Sequence, residues 1–184
     1  MASFSIDTFT AKLKAGGALA SLFEAELTTT KGPIQPSAIN DFNFLCKATT
    51  LPGDTIETAA VTYMGRAINI PANRAAATWE TTIYNDEGME IRNNLESWME
   101  QLNSHKTNVR AAAMIAIQSY TGTLKVRTYA KAGSTITKSY EFIDAWPSTI
   151  APIPVDWDTN DIQTYDVTWE YSYWRSNQSN TGFS

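Results

Sequence analysis

Few residues in this chain could do covalent or metal chemistry, and their spacing does not let them cooperate. His105 is the only histidine, so neither a two-histidine metal site nor a histidine relay can be built. It closes an amphipathic segment beside Lys106, where a cation favours the negative end of a helix, and a C-terminal capping role is expected. Cys46 follows Phe42 and Phe44 at alternate positions and reads as a buried strand thiol rather than a nucleophile. The run Asp156-Trp157-Asp158-Thr159-Asn160-Asp161 matches the first, third and fifth ligands of a calcium loop. It then departs, with Asp161 where the turn needs glycine and Val167 where the bidentate glutamate belongs, so a solvated acidic turn is expected. Glu80 and Glu170 each follow a tryptophan and resemble a glycosidase pair only superficially, because acids alternating with aromatics are what any half-exposed strand shows. There is no glycine-rich phosphate loop. No catalytic residue, metal or cofactor is expected, and the six tryptophans read as core or interface before they read as a carbohydrate or base-stacking platform.

The elements that must carry these residues are mostly strands. From Thr164 to Ser172 the chain alternates strictly, Tyr165, Val167, Trp169, Tyr171 and Tyr173 on one parity and Asp166, Thr168 and Glu170 on the other, the period of a half-buried strand. The aromatic parity is expected in the core. The acidic parity, Asp166 and Glu170, is expected to face a lumen or an adjacent protomer. Further strands are read at 19–29, at 41–46 with Phe42, Phe44 and Cys46 on one face, at 124–129 and at 136–146, the last two joined by a turn at Ala132-Gly133-Ser134. Over 55–71 the apolar parity flips from Val61 and Tyr63 to Ile68 and Ile70, which demands a bulge or tight turn at Met64-Gly65-Arg66. Trp79, Thr81 and Ile83 continue the pattern. One helix interrupts it: Ile91, Leu95, Trp98, Met99 and Leu102 form an apolar stripe over 87–103, with Asp86 and Glu87 in its first turn. The stretch 110–117 fits a short helix or a buried strand equally well. Pro147, Pro152 and Pro154 are expected to break the chain before its last strand.

These elements predict a mainly β fold, an antiparallel sandwich or barrel with one flanking helix. Its expected organisation is an N-terminal arm over 1–18 set off by Gly16-Gly17, a single domain over 19–175 and a polar tail over 176–184. At 184 residues with 43% hydrophobic and 18% charged, the chain has the composition of one globular domain. No apolar run reaches the roughly 18 residues a membrane helix needs, the N-terminus lacks the pattern of an export signal, and a single cysteine fits a reducing compartment. The net charge of −5 argues against clasping nucleic-acid phosphates. Its distribution says more. Gln101 to Tyr140 carries bases and no acids, including Lys106, Arg110, Lys125, Arg127 and Lys131, whereas 139–174 carries acids and no bases. The two blocks are expected to pair within a protomer or across a head-to-tail contact, where they would set register and partner choice.

Several short segments, in order, resemble the tail-tube proteins of long contractile-tailed bacteriophages. They are Gly16-Gly17 with Ser21-Leu22-Phe23-Glu24-Ala25; Phe44-Leu45-Cys46-Lys47-Ala48 with Leu51-Pro52; Tyr63-Met64-Gly65-Arg66; Trp79-Glu80 and Tyr84-Asn85-Asp86-Glu87; Ile91-Arg92-Asn93, Trp98-Met99 and Asn103-Ser104-His105; Trp146-Pro147; and the Asp156 to Asp161 run. Between Lys106 and Gly122 the chain departs from the family pattern. The resemblance implies a structural virion protein whose protomers form hexameric rings with a continuous inner β-barrel, stacked into a tube through which DNA leaves without specific binding. It implies as partners further copies of itself and the tail sheath, baseplate and tail-terminator proteins, with assembly in the bacterial host cytoplasm and no membrane. Related tubes serve type VI secretion and extracellular contractile injection systems; a monomeric carbohydrate-binding sandwich is the competing reading from another class. Candidate inter-subunit or lumen-facing residues are Lys125, Arg127, Lys131, Asp156, Asp158, Asp161, Asp166 and Glu170. Lys47, Leu51, Thr55 and Glu57 mark the expected stacking region.

Overall fold

A computed structural model of the chain describes residues 5–13, 16–28, 34, 36–75, 77–133 and 135–177. The element order is α1 (Ile6–Lys12), β1 (Phe23–Thr28), α2 (Pro36–Leu45), β2 (Cys46–Thr49), β3 (Ile56–Tyr63), β4 (Arg66–Arg74), β5 (Trp79–Tyr84), α3 (Glu90–Leu102), a 3-10 turn (Ala112–Met114), α4 (Ile117–Tyr120), β6 (Gly122–Tyr129), β7 (Ile136–Ile150), β8 (Thr164–Glu170) and β9 (Tyr173–Ser176). Every strand pairing is antiparallel.

β7 organises the fold. Its first part pairs β6 on one side and β9 on the other, giving the layer β1-β6-β7-β9; its last part pairs β8, giving β7-β8-β5-β2. Asp144, at φ 55°, sits just before the change of partner from Gly122 opposite Ala145 to Glu170 opposite Trp146. A short polar side chain tolerates that left-handed backbone, and such a bend is how one strand serves two packed sheets. Pro147 does not end β7 as expected. It lies inside the strand at a register shift opposite Trp169, where a residue without an N–H is accommodated.

The layers meet in one core. The rings of Phe142 on β7 and Trp79 on β5 stack with centroids 4.7 Å apart, and Ala25, Leu27, Leu124 and Val126 join Ile83, Val167 and Trp169 in the same buried cluster. α3 lays Ile91, Leu95 and Trp98 into it. Asp86 accepts from the Gly88 and Glu90 N–H groups, satisfying donors that a helix start leaves free; this holds the first turn open, so the helix begins at Glu90 rather than Glu87. Its C-terminal end corrects the expectation for His105: the Arg110 Nε donates to the Leu102 carbonyl at 3.4 Å and the Ala111 N–H to that of Gln101 at 3.0 Å. His105 faces Glu100 instead.

Three further readings change. The segment 41–46 is not a strand. It ends α2, whose Ala38, Phe42 and Leu45 share a face at i, i+4 and i+7, so Phe42 is buried while Phe44, two residues on, is 88% exposed. Cys46 opens β2 half-buried, its thiol pushed up to about 12 by burial despite a lowering contact to Ala48; little thiolate then exists at neutral pH. The alternation ending at Tyr173 breaks after Glu170: Tyr165, Val167 and Trp169 are buried, Tyr171 is half-buried, and Tyr173 is exposed on β9 in the other layer. The ambiguous stretch 110–117 forms the 3-10 turn and the start of α4. The polar tail expected from 176 falls largely outside the described residues, although Ser176 itself is buried in β9.

Candidate assembly surfaces

The outward face of the first layer is a lattice of opposite charges. Glu24 and Glu26 on β1, Lys125 and Arg127 on β6, Glu141 on β7 and Arg175 on β9 occupy alternate, outward positions. Arg127 bonds both Glu24, at 3.2 Å, and Glu26, while the Tyr129 hydroxyl donates to Glu24. Glu141 is held from both sides, by Lys125 at 3.4 Å and Arg175 at 2.5 Å. Burial raises the Glu141 carboxyl, but the hydrogen bonds and charges of Arg175 and Lys125 outweigh it and leave the group below its usual value. Lys125 and Arg127 thus have acid partners inside the protomer, and reversing them would disrupt those pairs before any contact with a neighbour. Lys131 donates to the Gly16 carbonyl at 3.1 Å, tying the end of β6 to the glycine pair, where Gly16 and Gly17 both have positive φ.

One consequence can be measured. A depressed folded-state pKa contributes stability that is present above the unfolded value, near 4.3 for a glutamate, and lost as pH falls through the folded one. Glu141→Gln should therefore lower unfolding free energy by about 0.5–1 kcal/mol at pH 7, the range of a partly solvated pair. In urea titrations the gap to the wild type should close by pH 3.

The second layer turns Glu80, Thr82, Asp166, Thr168 and Glu170 outward. Thr82 donates to Asp166 at 2.6 Å. Glu80 lies opposite Thr168, one pleat from Glu170, so this face presents carboxylates on adjoining strands. Asp156, Asp158 and Asp161 lie apart from them, in a loop whose residues 154–162 are all exposed. There the Asp156 carboxylate accepts the Asp158 N–H at 3.1 Å, a local turn. Among the described residues no group of three His, Cys, Asp or Glu side chains could hold a metal ion.

The least self-sufficient element is the β3–β4 hairpin. It turns through Met64 and Gly65, both at positive φ (49° and 78°), the backbone that a two-residue hairpin turn requires. The parity flip in the sequence is this turn. Val61 opposes Ile68 and Ala59 opposes Ile70, so residues of different parity share one apolar face with Tyr63. Every residue of both strands is exposed, Val61 at 50% and Ile68 at 52%. An isolated two-stranded ribbon is marginal in water, and this one projects about 25–30 Å at 3.3 Å per residue. Its base is held firmly: the Trp79 indole donates to the Thr50 carbonyl at 2.7 Å, that of Trp174 to Gly53 at 3.3 Å, and Arg74 pairs with Asp54. Lys47, Leu51, Thr55 and Glu57 are exposed from β2 to this base, with Lys47 over the Tyr84 ring at 5.3 Å. α1 likewise shows an uncovered stripe, Ile6 at 83% and Phe9 at 67% exposure with Leu13 beside them. Its Ser5 cap accepts from the Thr8 N–H.

The turn is legible in the sequence, but the hairpin's independence from the sandwich is not read there. The available signal is that 56–74 contains no Trp, Phe or Leu, the residues that fill the core elsewhere.

Comparison with known proteins shows what the chain is similar to. The family model for phage tail tube proteins matches residues 7–177. The tail tube protein gp19 of Enterobacteria phage T4 is 33% identical over 135 residues, covering 73% of this chain and 81% of the relative, and the gp19 of Enterobacteria phage T6 matches to the same extent. Among solved structures, a chain of the PVC extracellular contractile injection system sheath-tube complex in its extended state superposes with TM-score 0.62 at 12% identity, covering 95% of this chain and 98% of that one. A chain of the anti-feeding prophage baseplate does so with TM-score 0.64 at 9% identity, covering 86% and 94%; at such identities the fold is what is shared.

Proposed function

Since the chain belongs to the phage tail tube protein family, we propose that it acts by assembly alone: six protomers close into a ring, and rings stack into the hollow tube through which phage DNA is ejected. The observation that carries this reading is the β3–β4 hairpin, an amphipathic ribbon with a fixed base and no covering layer among the described residues. Docking its apolar face on a neighbouring protomer would remove that face from water and complete the sheet. The exposed residues Lys47, Leu51, Thr55 and Glu57, continuous with the hairpin base, belong to the same stacking surface in this reading. Six-fold order accords with the anti-feeding prophage baseplate, described as 6-fold symmetrised.

The acidic outer face of β5 and β8, with Glu80, Asp166 and Glu170, suits a lumen. Carboxylates repel DNA phosphates, so the genome slides rather than sticks. Lys125, Arg127 and Lys131 would then hold the protomer's own shape beside any seam. Sheath, baseplate and terminator proteins would contact the tube from outside and at its ends, after assembly in the host cytoplasm. The 33% identity to phage T4 gp19 favours a phage tail over an injection system. Membership of the same family supports a structural role without catalysis. Against a carbohydrate platform, Trp79, Trp98 and Trp169 are buried, Trp146 and Trp174 are half-buried, and Trp157 alone is exposed.

Negative-stain electron microscopy of the purified protein, at high concentration and after addition of its baseplate initiator, should show six-membered rings or tubes. A species that stays monomeric under both conditions would overturn the proposal.

A further inference from the structure

Resting on the ring reading, we infer that the seam between adjacent protomers is formed by the 154–162 loop of one copy seated on the 105–117 segment of the next. The loop is built to be covered. Nine consecutive residues are exposed, and among them Val155, Trp157 and Ile162 stand out of the surface, Trp157 fully so. A tryptophan in that position is the kind of side chain that dominates an interface once desolvated. Three carboxylates share the loop with it: Asp156, Asp158 and Asp161.

The segment 105–117 is its counterpart in composition. Residues 105–110 are all exposed, and Val109, Ile115 and Ile117 add uncovered apolar surface. Lys106 and Arg110 supply the charge, and no acid occurs from Gln101 to Tyr140. Arg110 is presented by its guanidinium lying 4.8 Å over the Tyr120 ring. Its Nε also donates to the Leu102 carbonyl, but among the described residues neither Arg110 nor Lys106 pairs with a carboxylate, and both are exposed. Of the other bases in that stretch, Lys125 and Arg127 pair with acids of the protomer, Lys131 reaches the Gly16 carbonyl, and Lys138 is half-buried against the Tyr140 ring. The acidic block therefore finds its complement in Lys106 and Arg110.

The two surfaces are also at opposite ends of one rigid element. Asn85, just ahead of α3, is tied to Gln163 at the end of the loop by a backbone bond and a side-chain bond, each 2.9 Å. His105 and Lys106 follow the C-terminus of the same helix, and its 13 residues separate the ends by about 20 Å. Complementary patches that start from the two ends of a helix about 20 Å long are held apart within one copy. They make a heterologous contact, which closes into a ring when the rotation permits, and the charges set its register.

A charge exchange tests the seam. Asp156→Lys with Asp158→Lys, and separately Lys106→Glu with Arg110→Glu, should each raise the protein concentration needed for ring formation at least tenfold by sedimentation velocity, and Trp157→Ala should raise it further. All these positions are exposed, and near-UV circular dichroism should match the wild type. An equimolar mixture of the two charge-reversed proteins should recover the lost assembly, since in a six-membered ring of alternating copies every loop meets a segment of opposite charge. Variants that all form rings as readily as the wild type would place the seam elsewhere and leave the ring reading standing. A wild type that never forms rings would overturn both.

Discussion

Placing a carboxylate on the apolar face of the hairpin, as Ile68→Asp, is expected to leave the protomer folded and to abolish tube growth. The fold should survive because Ile68 is half exposed and lies outside the buried cluster. Assembly should fail because the proposed docking puts position 68 into a dry contact, and an unpaired buried carboxylate costs several kcal/mol. A milder variant grades the effect. Val61→Ser, Ile68→Ser and Ile70→Ser together remove three half-exposed apolar side chains; fully burying one contributes about 1.5–3 kcal/mol. About half of that remains to be gained on docking, so the triple variant loses about 3 kcal/mol per contact, roughly 100-fold in each association constant. The contact recurs once per protomer, so the loss compounds around a ring. Asn69→Asp, on the opposite face of β4, is the control and should assemble normally. Sedimentation and electron microscopy at matched concentrations read the result. Tubes of normal length from Ile68→Asp would show that the hairpin docks by its other face or not at all.

Strict periodicity made the sandwich legible. Tyr165, Val167 and Trp169 could be placed in the core because a strand offers only two faces, and the stripe Ile91, Leu95, Trp98 could be placed against it because polar residues hold the rest of α3. The segment 41–46 misled because Phe42, Phe44 and Cys46 alternate over too short a span to exclude a helix; Ala38 and Ile39, which complete the helical face, lie ahead of that span. Pro147 misled because a missing N–H forbids only a regular ladder position, and β7 has a register shift there. The surfaces were less readable than the core for a physical reason. Charge blocks in sequence do not say which partner is nearer in space, and the antiparallel pairing of β6 with β1 and β7 brings Glu24, Glu26 and Glu141 to Lys125 and Arg127. What remains uncovered, Trp157 with its acids and Lys106 with Arg110, emerges only once those internal pairs are known.

The largest loss of protomer stability is expected from Trp169→Ala. Its ring sits where the two long helices meet β8: centroid distances are 6.0 Å to Phe42 of α2 and 6.1 Å to Trp98 of α3, both edge-on. Its indole N–H donates to the Thr81 hydroxyl of β5 at 2.9 Å, a bond wholly within the core. Truncation to alanine removes the packing of both helices together and should cost about 3–5 kcal/mol, a large share of the roughly 5–15 kcal/mol that holds a domain of this size folded. Trp169→Phe separates the two contributions. It keeps much of the ring contact but deprives Thr81 of its donor, for about 1–3 kcal/mol. Trp174→Ala should cost less than Trp169→Ala, because Trp174 is only half-buried at the rim against Tyr140. Urea midpoints that fall from wild type to Trp169→Phe and again to Trp169→Ala would confirm the arrangement; a stability for Trp169→Ala within about 0.5 kcal/mol of wild type, the scatter of a surface substitution, would refute it. The assembly surfaces should fail with it, since the 154–162 loop leads directly into β8 and the hairpin returns into β5, its partner. Loss of the tryptophan would therefore loosen both at once, whereas Ile68→Asp and Trp157→Ala each remove one surface and leave the protomer that carries it intact.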